Sequence, residues 1–322
     1  MPVIQSNYRP PALFNNGHLL TIYPYLFRRV KGVKYFRERL ITFDGDILDV
    51  DWSRVGSPHL VILSHGLEGS SQQPYITGMV NALNHIGTDT LSLNFRTCNG
   101  ELNLLPRFYH SGDSNDLRMV IEHALKLERY KRIDLVGFSL GGNITLKYLG
   151  EEGENLSPII GRSVAFSVPC SLSDCANALA RPSNFMYMSN FLFTMRQKLK
   201  AKLEIMELKN INFEKAMSAK NFLEWDNAVT APLHGFKDAF DYYQQASCYQ
   251  WLEFIKSPTL LVNAEDDPFL DGRAYPYEVA SANPQLFLEV PKSGGHVGFM
   301  PEKNSPHYWS EWRALEFLRG DM

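Results

Sequence analysis

The sequence predicts an α/β fold: a mostly parallel central sheet flanked by helices, with a helical cap inserted between two late strands. Three observations carry this. Short β-rich apolar runs recur near 59–64, 89–95, 132–138, 162–168, 258–264 and 285–290 of the 322 residues. Helical patterns near 72–86, 114–128 and 142–150 alternate with them, and a last helix is expected near 305–319. Such alternation specifies parallel strands joined by crossover helices. The third observation is the stretch from Val168 to Pro258, far longer than one crossover needs.

Taken in order, the elements begin with Asn16-Gly17-His18-Leu19-Leu20-Thr21, expected to pin an N-terminal arm to the core. An extended hairpin follows, Phe36 to Thr42 and Ile47 to Trp52, around the turn Asp44-Gly45-Asp46. The alternating units come next. The long insertion opens with an apolar group that includes Phe185, Met186, Tyr187, Met188, Phe191 and Met195. A charged helix from Arg196 to Lys209 and a second apolar group, Phe213 to Trp225, complete it. Residues 1–169 and 251–322 therefore read as the core and 170–250 as a cap, most of whose apolar side chains pack its own helices while a few Met and Phe line a pocket.

Composition excludes several classes. The formal net charge is -3 with charges interspersed, so no basic stripe suggests nucleic acid. No apolar segment approaches the roughly 18–20 residues of a membrane span. The first residues lack the basic and apolar regions of a signal peptide, and a cytoplasmic protein is expected. The four cysteines, Cys98, Cys170, Cys175 and Cys248, show no metal spacing and read as free thiols. No cofactor or metal is expected.

The chemistry is carried by Gly137-Phe138-Ser139-Leu140-Gly141, which follows the apolar run Ile133-Asp134-Leu135-Val136 and opens a helical pattern. In a G-x-S-x-G turn between strand and helix the serine takes a strained backbone conformation and its hydroxyl is pushed out of the sheet. A serine hydroxyl needs a histidine base, and the base needs a carboxylate to orient it. The strand Ser257 to Asn263 ends in Ala264-Glu265-Asp266-Asp267-Pro268, where Asp267 is the expected acid and Asp266 the alternative. The loop Ser293-Gly294-Gly295-His296 follows one more strand and supplies His296 as base. The order Ser, Asp, His is that of α/β-hydrolases. An oxyanion also needs preorganised N–H donors. The turn His65-Gly66-Leu67-Glu68-Gly69-Ser70 after an early strand supplies one, so the backbone N–H groups of Leu67 and Leu140 are the expected pair.

Several segments together resemble the YheT-like α/β-hydrolase family, which is related to the α/β-hydrolase-domain lipases and esterases. They are Asn16 to Thr21, Ser64 to Ser70, Asn94-Phe95-Arg96 through Asn99-Gly100-Glu101, Pro106 to Gly112, Gly137 to Asn143 and Asn263 to Pro268, and they span most of the chain. The resemblance implies a serine hydrolase of carboxylic esters, with Ser139, Asp267 and His296 matching the family's triad. Relatives often carry an acyltransferase signature, a histidine with aspartate five residues later. None of the nine histidines has it, His110 being followed by Asn115 at that place, which favours hydrolysis over transfer.

Other polar residues have structural explanations. His65 is expected to brace the oxyanion loop, and Arg96, Arg107, His110, Ser111 and Asp113 to form a polar network beside the pocket. His234 and Asp238 read as a solvated feature of the cap. The expected activity is a cofactor-free serine carboxylesterase acting on a small-molecule ester, with short acyl chains preferred because no extended interfacial helix is evident. An acyltransferase, an acylglycerol lipase and a non-catalytic lipid-binding protein are the alternatives.

Overall fold

Apolar runs buried on both faces build the centre of the sheet in the computed structural model, which describes residues 2–301 and 307–321. The strands are β1 (Val3–Ile4), β2 (Phe36–Ile41), β3 (Ile47–Ser53), β4 (His59–Ser64), β5 (Asp89–Asn94), β6 (Arg132–Phe138), β7 (Ile160–Phe166), β8 (Thr259–Val262) and β9 (Leu286–Glu289). They form one sheet in the order β1-β9-β8-β7-β6-β4-β5-β3-β2. From β1 to β5 along that order every pairing is parallel, while β3 pairs antiparallel with both β5 and β2. Leu60, Val61, Ile62 and Leu63 of β4 and Ile133, Leu135 and Val136 of β6 are buried, as expected of strands covered by helices on both faces. The edge strand β2 is different. Its charged Arg37, Glu38 and Arg39 suit an edge, and the two arginines pair with Asp51 and Asp49 of β3.

Three features depart from the sequence reading. Val3 and Ile4 add a short parallel strand beside β9, too short to show as a β-rich run. Gly17–Phe27 forms a helix with Pro24 inside it, capped by Asn16, whose side chain accepts the N–H groups of His18 and Leu19. In the insertion, the apolar and charged segments expected as separate pieces form one helix of 21 residues, Phe185–Ile205. The last helix is Trp309–Arg319, and the expected starting residues 305 and 306 lie outside the described residues.

Between β7 and β8 the described chain forms helices and loops but no strand: besides Phe185–Ile205 its helices include Leu172–Leu179, Phe213–Ser218, Phe222–Trp225 running on into Asp226–Thr230, Ala231–His234 and Ala239–Ala246. Phe191, Leu192, Leu199, Trp225 and Val229 of this insertion pack with one another into a cluster apart from the sheet's core, joined by Phe269 from the loop after β8. Active sites of open α/β sheets lie beyond the carboxyl ends of the strands. The turns after β4, β6, β8 and β9 meet there, beneath these helices. Among the described residues no helix is long and apolar enough to cross a membrane.

Candidate active site

Ser139 sits between β6 and the helix Leu140–Glu152 with φ 54° and ψ -122°, a conformation that costs a non-glycine residue on the order of 1–3 kcal/mol. The neighbouring glycines make this turn possible. A Cβ on Gly141 would lie 2.4 Å from the carbonyl oxygens of both Ser64 and His65, and one on Gly137 would lie 2.6 Å from the Cα of Gly142. These contacts are with backbone, which cannot swing aside. The Ser139 N–H donates to the Phe166 carbonyl at 2.8 Å, tying the turn to β7.

His296 reaches the turn from the loop after β9. Its Nε2 lies 2.9 Å from Ser139 Oγ, and its Nδ1 lies 2.9 and 3.1 Å from the two carboxylate oxygens of Asp267. A carboxylate only accepts, so Nδ1 carries the proton and the Nε2 lone pair faces the serine. Asp267 also accepts the Phe269 N–H at 2.9 Å, and the Phe269 ring stacks on the imidazole with centroids 4.1 Å apart. Asp266 has a different place: its carboxyl accepts the Gly295 N–H at 2.9 Å and holds the histidine's loop. The helix Gly17–Phe27 holds the same loop from outside. Thr21 Oγ1 accepts the His296 N–H at 2.8 Å, and a Cβ on Gly17 would strike the Asp266 carbonyl.

The turn after β4 faces the serine from the other side. His65 is fully buried, and burial drops its pKa to about 3, so the ring is neutral. Its Nδ1–H donates to the Gly66 carbonyl at 2.7 Å while Nε2 accepts the Phe95 N–H at 3.2 Å. Both ring nitrogens are spent on bracing. Tyr75 OH accepts the Gly66 N–H, and Tyr109 OH accepts the Glu68 N–H while donating to the Glu68 carboxylate. Leu67 between them is left with its N–H uncommitted among the described residues. Leu140 is the first residue of its helix, where N–H groups lack an intrahelical acceptor and carry the positive end of the dipole.

Ser139, Leu140, Leu67 and His296 open into a cavity of about 1090 Å³ including its mouth. Its walls are mostly apolar. Phe191 and Met195 face it from the helix Phe185–Ile205, Phe222, Trp225 and Val229 from the helices that follow, and Phe269 from the core. Lys198, one turn beyond Met195, pairs with Glu68 at 2.9 Å and so links that helix to the turn after β4.

A model of the α/β-hydrolase fold family matches residues 59–303. The chain is an α/β-hydrolase. It is 35% identical over 321 residues to YheT of Escherichia coli (strain K12), covering 97% of this chain and 93% of that protein, and belongs to the YheT-like branch. Phospholipase ABHD3 of Mus musculus is 30% identical over 308 residues, covering 93% of this chain and 74% of the relative. Monoacylglycerol lipase of Saccharomyces cerevisiae is 29% identical over 261 residues, covering 79% of this chain and 57% of the relative. An esterase of Pyrococcus furiosus shares the fold, with a TM-score of 0.62 at 21% identity over 91% of this chain and 96% of its own. With relatives that are esterases and lipases by name, this hydrolase is a carboxylic ester hydrolase.

The polar network expected around Arg96, Arg107 and Asp113 forms, while His110 and His234 stand elsewhere than the sequence suggested. Arg96 is a structural hub: it pairs with Asp116 and with Asp44 and Asp46 of the β2–β3 turn, while Arg107 binds Asp113 and Asp44. His110 is not part of that hub. It lines the cavity with its ring 4.7 Å from that of His234, so His234 faces inward and is not a solvated feature. Burial keeps both imidazoles neutral, lowering the pKa of each far below 6.5. Asp238, its expected partner, instead caps the helix Ala239–Ala246 by accepting the Asp241 N–H. A histidine pair drawn from residues 124 positions apart leaves no local sequence signal. The cysteines are all free and buried, and burial pushes the Cys175 thiol on the cavity wall well above its ordinary value, which suits a packing role.

Proposed function

We propose that this hydrolase is a serine carboxylesterase of short- to medium-chain acyl esters, with Ser139 as nucleophile, His296 as base, Asp267 as orienting acid and residues 170–250 as a cap over the site. The observation that carries the reading is the unbroken series of hydrogen-bond distances, Asp267 to His296 at 2.9 Å and His296 to Ser139 at 2.9 Å. His296 Nε2 takes the Ser139 proton as Oγ attacks the ester carbonyl, and the oxyanion meets the N–H groups of Leu67 and Leu140. His296 then gives that proton to the departing alcohol, leaving an acyl-enzyme. Water attacks the acyl carbon, its proton passes to Nε2 and on to Ser139 Oγ, and the acid leaves. The largely apolar cavity supports an acyl chain as the recognised part of the substrate.

Esters of a polyol are the second substrate class. They are favoured by the neutral His110 and His234, whose rings line the cavity and whose Nε2 atoms suit alcohol hydroxyls, His110 Nδ1 being taken by the Gly112 N–H, and by the names of the lipase relatives. Hydrolysis of a p-nitrophenyl ester series from acetate to palmitate by the native protein and Ser139→Ala tests the first reading. Turnover peaking at short or medium chains and vanishing in the variant supports it. A preference for monoacylglycerol over every simple ester moves the substrate to the second class, and turnover that survives in Ser139→Ala defeats both.

A further inference from the structure

The helix Gly17–Phe27 turns its apolar side chains both ways. Gly17, Leu20 and Pro24 face the core, where Leu20 packs against the loop of His296. Leu19, Tyr23, Leu26 and Phe27 recur at i, i+4, i+7 and i+8 on the opposite face, and are 51%, 41%, 47% and 64% exposed. Tyr23 stands edge-on to Phe14 and tilts against Phe27, with centroids 4.9 Å apart in both pairs, so these side chains form one continuous surface. A helix facing water needs a polar outer stripe, and this one lacks it. His18 stacks on Tyr187 of the helix Phe185–Ile205, beside Phe185 and Met186, which are 71% and 73% exposed.

Charge identifies the occupant. The chain's net charge is -3, yet the stretch from Arg28 to Lys34, immediately after the helix, holds four cations and no acid. Arg28 is taken by Glu311, while Arg29, Lys31 and Lys34 are exposed and make no ion pair among the described residues. Aromatic and aliphatic side chains beside unneutralised cations match the boundary of an anionic bilayer, where rings sit at headgroup depth and cations meet lipid phosphates. A second copy of this chain would bring the same cations face to face across a twofold axis.

We propose that this face docks the hydrolase on an anionic lipid surface. The contact is peripheral, and it lies close to the chemistry. From His18 the rings pass through Tyr187 and Phe269 to His296, with successive centroids 5.8, 4.8 and 4.1 Å apart, and Thr21 of the docking helix holds the His296 N–H.

The test is flotation of the full chain with phosphatidylcholine vesicles, with and without phosphatidylglycerol. The native protein is expected to float with the anionic vesicles and to be released by salt. The triple variant L19S/Y23S/F27S should lose on the order of 100-fold in partitioning, and R29Q/K31Q/K34Q about fivefold for each cation removed on anionic vesicles only. Both variants should hydrolyse soluble p-nitrophenyl acetate as the native protein does, which shows that they fold and keeps docking separable from the esterase reading. Should the acetate assay fail for all three proteins, the flotation result still decides docking, with the circular dichroism spectra reporting the fold. Native protein that stays unbound, a triple variant that floats like the native chain, or a native dimer that the triple variant dissociates would each overturn the proposal.

Discussion

The two walls of the cavity are built on different principles. On the core side, Ser139, Leu140 and Leu67 are held by backbone: strands under the turns, glycines whose Cβ atoms would collide with carbonyls, and a buried neutral His65 with both nitrogens engaged. On the opposite side, Phe191, Met195, Phe222 and Trp225 present flexible or bulky apolar side chains from helices that pack mainly with one another. The first wall leaves no latitude. The second tolerates exchange, because Met and Phe can repack. On the proposed mechanism the core wall carries the chemistry and the helical one the selectivity, and substitutions on each should fail differently.

The largest effects belong to the core wall. Ser139→Ala and His296→Ala should each lower kcat by up to about 10⁶-fold, and the double variant should be little worse, because the residues act as a unit. Asp267→Asn should cost about 10⁴-fold by favouring the wrong imidazole tautomer. If Asp266→Asn proved the more damaging, the division of labour between the two acids would be reversed. Next comes Gly141→Ala: the Cβ, 2.4 Å from two carbonyl oxygens, must displace the turn that carries the Leu140 N–H. A turnover loss of about 10²–10³-fold is expected, together with a lower Tm.

On the helical wall the outcomes should be graded. Met195→Ala enlarges the cavity and should move the optimum of an ester series toward longer chains, changing kcat/KM by about tenfold or less for any one ester. A fall in kcat for every ester alike would erase the distinction between the walls. The smallest effect concerns stability. Asp226, buried among the helices and bonded by Thr230 and Tyr243, has its pKa raised by burial from 3.8 to about 6. The folded protein then holds a proton that the unfolded chain has released, so this group's contribution falls as pH rises from about 3.8 to about 6. Asp226→Asn should gain on the native protein by roughly 1–3 kcal/mol across that window in denaturant titrations. A pH-independent difference would contradict the assignment.

The same contrast explains what the sequence could disclose. Strands such as Leu60 to Leu63 announce themselves because parallel strands buried on both faces are continuous apolar runs. Ser139, Asp267 and His296 stand out because each follows a strand and because glycines mark two of the turns. The helix Gly17–Phe27 was hidden for the opposite reason. It is apolar nearly all round and interrupted by Pro24, so no polar stripe betrays its period. His234 gives no such signal, because its partner His110 is remote in sequence and only the fold brings the two rings together.

On the proposed mechanism one nucleophile, activated by one histidine, carries the reaction. Fluorophosphonate labelling of the native protein, His296→Ala and Ser139→Ala, with the adduct mapped by peptide mass spectrometry, tests it most directly. A single adduct on the peptide containing Ser139 is expected, strongly slowed in His296→Ala and absent in Ser139→Ala. An adduct on another residue, or labelling undiminished in His296→Ala, would contradict it.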